Sequence, residues 1–295
     1  MNKITLLSFM LSFLIVAAGC GSQAGGNASS AQATATTTKP TTAADAPASV
    51  AAGPSSATAN STTPLQQARV PAQDISALPV LYYHSVNVEQ DNELCMPPNQ
   101  LREQMNYLKE HGYQTISPAQ MASFLKGEGT LPEHPVLITF DDGYANNYTD
   151  AYPILQEFGF TATVFMISGA LDSSGFLSTR QIQELSTNGW TIGGHTKNHE
   201  HLPQLDAARQ AQEMRDSKAV LEQKLGRPVS VFAYPYGEYN AQVKKAVQDD
   251  GYALAFTTER GWVKQGADPL LLHRVYCYAH MGLQEFQRRI QNPNY

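Results

Sequence analysis

Two adjacent carboxylates close an apolar run in Val136-Leu137-Ile138-Thr139-Phe140-Asp141-Asp142-Gly143. Neighbouring side chains at a strand end diverge, so one carboxylate can hold a metal while the other faces a substrate. Further on, His195-Thr196-Lys197-Asn198-His199 follows Trp190-Thr191-Ile192-Gly193-Gly194. Two His four apart are expected on one side of a helical turn, within reach of one ion, and imidazole suits zinc and other late first-row metals. Glu200 and His201 lie close by and could be confused with ligands. A third segment, Phe232-Ala233-Tyr234-Pro235-Tyr236-Gly237, is aromatic, with Pro235 fixing a turn. Taken singly, these are a solvated turn, a surface His pair and the edge of a core. Together they describe hydrolysis. Two neutral His and one carboxylate leave positions open for water and substrate, a metal there activates the water, and the second carboxylate takes its proton.

Such residues must be carried by elements, and strand and helix signals alternate from Leu78 to Tyr295. Val80–His84 is a β-rich run, and Pro98–Glu110 reads helical with Leu101, Met105 and Leu108 on one face. Ser117-Pro118-Ala119-Gln120 opens a second helix with a capping box, and Ser178 with Gln181 does the same for a helix over 179–187. Val136–Phe140 is the continuous apolar run of a buried parallel strand. Tyr148–Phe158 is expected to be helical, ending at Gly159. Further strands are expected at 162–167, 190–193, 231–234, 253–257 and 274–278, and further helices at 206–225, 240–250 and 282–290. Repeated βα units imply an α/β fold with a parallel sheet, either open and doubly wound or closed into a barrel. In both, functional groups gather at the C-terminal ends of the strands.

The strings Thr139-Phe140-Asp141-Asp142-Gly143 and His195-Thr196-Lys197-Asn198-His199, in this order, resemble the first two motifs of the NodB-type polysaccharide deacetylases. This carbohydrate esterase group acts on chitin, peptidoglycan, poly-N-acetylglucosamine and acetylxylan. The opening strand Leu78-Pro79-Val80-Leu81-Tyr82-Tyr83-His84-Ser85 and the Phe-Ala-Tyr-Pro-Tyr-Gly string resemble the branch that includes poly-N-acetylglucosamine deacetylases. The resemblance implies a distorted (β/α) barrel of about seven parallel strands. It makes Asp141 the catalytic base and Asp142, His195 and His199 the metal ligands. The implied ion is zinc, with cobalt, nickel or manganese as alternatives. Pro235 and Tyr236 match the oxyanion and substrate-binding position, where a backbone N–H is used.

The last motif of the family is matched by Leu271-Leu272-His273, which makes His273 the expected acid for the leaving amine. Two positions depart from the pattern. The family Arg that orients the catalytic Asp is Ala233 here, and Arg274 is the best replacement if the last strand lies beside the first motif. Of the Asp and Trp that hold the catalytic His, only Trp262 is present. His84 ends the first strand and is a candidate for lining the pocket.

Residues 1–20 read as an export signal, with Lys3, an apolar run to Ala18, and Ala17-Ala18-Gly19-Cys20 as a lipidation site at Cys20. Residues 21–76 are rich in Ala, Thr, Ser, Gly and Pro and read as a disordered tether. Residues 77–295 are the expected catalytic domain. The expected location is extracytoplasmic, held at a bacterial membrane by lipid. Cys95 and Cys277 remain, paired or as separate thiols. A net charge of −6 argues against nucleic acid, which needs clustered Lys and Arg. The leading expectation is N-deacetylation of an acetylated amino-sugar polysaccharide. The alternatives are an O-deacetylase such as an acetylxylan esterase, or a catalytically silent carbohydrate-binding module.

Overall fold

The computed structural model describes residues 68–295. The signal segment, Cys20 and the tether up to residue 67 lie outside the described residues. Seven parallel strands close into a barrel: β1 (Val80–Tyr83), β2 (His134–Phe140), β3 (Thr163–Met166), β4 (Thr191–Gly194), β5 (Val231–Ala233), β6 (Leu254–Arg260) and β7 (Leu272–Tyr276). Neighbours run β1-β7-β6-β5-β4-β3-β2, and β2 returns to β1 with Leu81 opposite Ile138 and Tyr83 opposite Phe140. The closed alternative is therefore the one adopted. A short strand, Tyr113–Thr115, pairs with the start of β2 outside the ring.

Both faces of each strand are buried, with a period of two. Val80, Leu137, Phe165, Val231, Phe256 and Leu272 belong to one core cluster, in the barrel interior. Leu81, Ile138, Val164, Phe232, Ala255 and Val275 belong to another, beneath the helices. Gly193 is required by closure, since a Cβ there would lie 2.6 Å from Phe165 and 2.9 Å from Val231.

The helices are α1 (Pro98–Glu110), α2 (Pro118–Leu125), α3 (Tyr152–Phe158), α4 (Thr179–Thr187), α5 (Ala207–Leu225), α6 (Ala241–Asp249) and α7 (Gly282–Gln291). Both expected capping boxes are formed, at Ser117 with Gln120 and at Ser178 with Gln181. Gly159 and Gly226 end α3 and α5 in the left-handed conformation.

Three boundaries bear on the fold, beyond shifts of one to three residues elsewhere. The expected single helix over 148–158 begins as a π-helical turn, Asn147–Ala151, and becomes α-helical at Tyr152. Pro153 lacks the N–H that an α-helical bond to residue 149 would need. The last strand starts two residues early, at Leu272. The tether boundary at 76 falls too late, because Arg69–Pro71 pairs antiparallel with Thr130–Pro132 and Ala72 is fully buried. Hydrogen bonding and burial include these residues in the fold despite their polar, turn-rich composition.

Candidate active site

β2 is followed directly by Asp141, whose N–H donates to the Tyr83 carbonyl of β1, so the carboxylate projects at the C-terminal mouth of the barrel. Asp142 then turns left-handed, with φ 71°. Gly143 follows at φ 80°, and a Cβ there would lie 2.1 Å from the Met166 sulfur. This tight turn sends the two carboxylates in different directions.

Asp141 is 2% exposed. Its Oδ1 accepts from Arg274 Nη1 at 2.8 Å and its Oδ2 from Arg274 Nη2 at 2.7 Å. Arg274 Nε donates to the Thr257 carbonyl at 2.8 Å. Burial works to raise the Asp141 pKa, but the Arg274 guanidinium outweighs it and holds the carboxyl below the usual range. The condition stated for Arg274 is met differently from expectation. β7 is not the neighbour of β2; β1 lies between them. Arg274 reaches past it with its guanidinium over the Tyr82 ring, 4.2 Å from the centroid.

Asp142 Oδ1 lies 3.4 Å from His195 Nε2 and 3.5 Å from His199 Nε2. Two ligands bound about 2.1 Å from a tetrahedral ion are about 3.4 Å apart, so these spacings fit a divalent metal. Asp142 Oδ1 is buried with no hydrogen-bond partner, which a bound cation would resolve. His195 Nδ1 donates to the Ala233 carbonyl at 2.7 Å, leaving the Nε2 lone pair for the ion. Burial would lower the His195 pKa, but Asp142 and Asp141 raise it, so a cation competes there with a proton. Burial and then the His195 charge push His199 down to about 4, so it is neutral at pH 7. Burial raises Asp142, but the neighbouring His195 outweighs it and keeps the group ionised.

The two His do not share a helical turn. Residues 195–199 form a loop, with Thr196 at φ 61° and His199 at φ 57°. The loop is held from outside by Glu213 of α5, which is fully buried. Its carboxylate accepts from Lys197 N at 3.1 Å, Asn198 N at 2.8 Å and Asn198 Nδ2 at 2.6 Å. Asn146 and Asn147 do similar work on the first loop. Asn146 bonds Ser85 Oγ and Val86 N, and Asn147 bonds the His84 carbonyl. Sequence reasoning passed over all three residues. The available signal was a carboxylate on the buried stripe of α5, beside Gln210, Met214 and Ser217.

A cleft of about 360 Å³ opens over the cluster, lined by Tyr82, His84, Leu94, Asp141, Asp142, His195, His199, Tyr236, Thr258 and Tyr276. His84 is thus brought in, with Nδ1 buried and unpartnered, and Pro235 and Tyr236 form the one-turn helix at its edge. His273 is not brought in. Leu272 and Arg274 turn to the interior, so His273 faces outward, half exposed, and pairs with Glu259 at 2.9 Å. Trp262 is also elsewhere: it donates to the Arg289 carbonyl and lines a separate cavity with His273. Cys95 and Cys277 are both free.

A parallel barrel with an Asp-His-His candidate metal cluster at its C-terminal mouth defines the class of protein. The polysaccharide deacetylase family profile matches residues 128–255. YxkH of Bacillus subtilis, named provisionally as a polysaccharide deacetylase, is 35% identical over 215 residues, covering 73% of this chain and 76% of that protein. The chain belongs to the polysaccharide deacetylase family. The Escherichia coli poly-beta-1,6-N-acetyl-D-glucosamine N-deacetylase is 26% identical, and the match covers 70% of this chain but 38% of that longer protein. Among solved structures, the Streptococcus pyogenes deacetylase PplD, in complex with acetate, superposes with a TM-score of 0.70 at 28% identity, covering 73% of this chain and 99% of that one.

Proposed function

We propose that the protein removes N-acetyl groups from an N-acetylglucosamine-containing polysaccharide, with zinc at Asp142, His195 and His199. The observation that carries this reading is the Asp141 carboxylate, buried and ionised by Arg274 directly beside the three-ligand cluster. A binding module has no need of such a base. The metal supplies Lewis-acid polarisation of the acetyl carbonyl and a lowered pKa for water. Asp141 takes the water's proton, and its Arg274 partner fixes the carboxylate plane while leaving lone pairs free. The Tyr236 N–H, one of the donors that a helix start leaves without an intrahelical acceptor, is assigned to the oxyanion. His84 takes the proton-donor role expected of His273. It lines the cleft, with a buried Nδ1 that has no hydrogen-bond partner in the protein.

A polymer substrate is supported by the exposed apolar surface. Among the described residues, the exposed large hydrophobic side chains are Val88, Leu94 and Tyr236, and the last two line the cleft. The E. coli relative's name supports a poly-β-1,6-N-acetylglucosamine substrate. Lipidation at Cys20, with residues 21–67 as a tether, would hold the domain at an envelope surface where such polymer lies.

The test is acetate release from β-1,6- and β-1,4-linked N-acetylglucosamine oligomers, peptidoglycan and acetylxylan, each with and without chelator. Chelator-sensitive release from the amino-sugar polymers is expected. Release from acetylxylan alone would make the protein an O-deacetylase, and release from none would leave a binding role.

A further inference from the structure

Tyr236 stands at the mouth with φ 59°, a conformation that side chains other than Gly rarely adopt. Contacts from elsewhere in the chain hold it there. Its ring lies flat on His201, with centroids 4.0 Å apart and planes 10° apart. The His199 ring meets it at 4.5 Å and 63°. His201 is itself fixed by Glu238, whose carboxylate accepts from Nδ1 at 2.9 Å. Glu238 closes the Tyr236 turn, its N–H donating to the Pro235 carbonyl at 3.0 Å. The loop after β4 and the loop after β5 are therefore latched by one stack and one charged hydrogen bond.

We infer that His201 is a positioning residue: held by Glu238, it keeps Tyr236 in its left-handed conformation, so that the Tyr236 N–H and ring border the acetyl side of the cleft. The inference rests on the deacetylase reading for its chemistry, but not for its geometry. His201 is no part of the Asp142-His195-His199 cluster. Its side chain is 45% exposed and that of Glu238 is 42% exposed. Solvent-exposed pairs contribute little to stability. Their removal therefore leaves the fold and the cluster standing, and any effect on rate comes through Tyr236.

The variants are His201→Ala, His201→Phe, Tyr236→Gly and the double variant His201→Ala with Tyr236→Gly. Relative to wild type, His201→Ala is expected to lower kcat roughly 10- to 100-fold, the scale on which misplacing a catalytic group slows a reaction. KM, zinc content and melting temperature stay near wild type. His201→Phe keeps the stack and restores most of the rate. In Tyr236→Gly the left-handed conformation carries no strain, so adding His201→Ala changes little further. A second readout needs no turnover. In 15N-labelled, zinc-loaded protein, added acetate should shift the Tyr236 amide resonance in wild type and His201→Phe, but not in His201→Ala. An unchanged kcat in His201→Ala, or an acetate shift that survives it, overturns the inference. So does a parallel fall in zinc content and melting temperature, which marks a merely structural residue. If wild type releases no acetate from any substrate yet shows the His201-dependent shift, the deacetylase reading fails and the positioning role stands.

Discussion

Arg274 meets Asp141 edge to edge inside the barrel, with two parallel hydrogen bonds of 2.8 and 2.7 Å between side chains that are almost wholly buried. A bidentate Arg–carboxylate pair fixes orientation as well as charge. Removing the guanidinium leaves burial to act on Asp141, and burial raises its pKa. A general base must be ionised, so Arg274→Ala should move the acidic limb of the kcat/KM profile to higher pH and lower the plateau. Stability follows the same sign. The folded pKa of Asp141 is depressed, so the pair's contribution is full above about pH 4 and is lost as pH falls through the folded value. Arg274→Ala should cost about 3–5 kcal/mol at neutral pH, because a buried carboxylate loses its partner. Denaturant unfolding at pH 7 and a pH–rate series check both, and an unmoved acidic limb would remove Arg274 from the mechanism.

Asp141 and Asp142 are adjacent but should fail differently. Asp141→Asn should keep its zinc and lose about 100- to 10,000-fold in turnover, the usual worth of a general base. Asp142→Asn should lose zinc, with partial recovery in excess metal. Metal stoichiometry beside acetate release distinguishes them, and near-normal turnover in Asp141→Asn would remove Asp141 from the role of base.

His84 and His273 offer a direct contrast. His84 lines the cleft and His273 does not. His84→Ala is expected to lower kcat by about 100-fold or more, on the scale of general acid catalysis. His273→Ala should stay within a few-fold of wild type, having lost a half-exposed pair with Glu259. The opposite ranking in steady-state kinetics would return the donor role to His273.

Glu213→Ala should weaken zinc binding about 10- to 100-fold without touching a ligand, the usual effect of losing an outer support. Two backbone N–H groups, of Lys197 and Asn198, lose their acceptor. Both residues are partly exposed, so water can replace the acceptor and the loss in stability should stay at about the 1 kcal/mol of an ordinary hydrogen bond. A zinc titration by competition with a chromophoric chelator reads the first effect and thermal unfolding the second. Wild-type zinc affinity in this variant would show that the loop holds its shape unaided.

Cys20→Ser should move the full-length protein from the membrane fraction to the soluble fraction after export. A single acyl chain binds only marginally, so firm anchoring implies more than one. Unchanged partitioning would end the lipoprotein proposal.

Local chemistry was readable from the residues alone. The capping boxes at Ser117 and Ser178, the glycines that end α3 and α5, and the apolar run before Asp141 each depend on neighbours a few positions apart. Motif order was enough to nominate Asp141, Asp142, His195 and His199, and the structure brings these four together. Two matters were decided only in three dimensions. In Leu271-Leu272-His273-Arg274-Val275-Tyr276 no alternation shows which side chain faces inward, because a barrel strand is buried on both faces. Only closure of the ring turns Arg274 towards Asp141 and His273 away. The shape of the His195–His199 loop depends on Glu213, which lies on another element. Such a contact leaves no periodic trace in sequence, since it is set by how α5 packs on the barrel and not by the residues beside it.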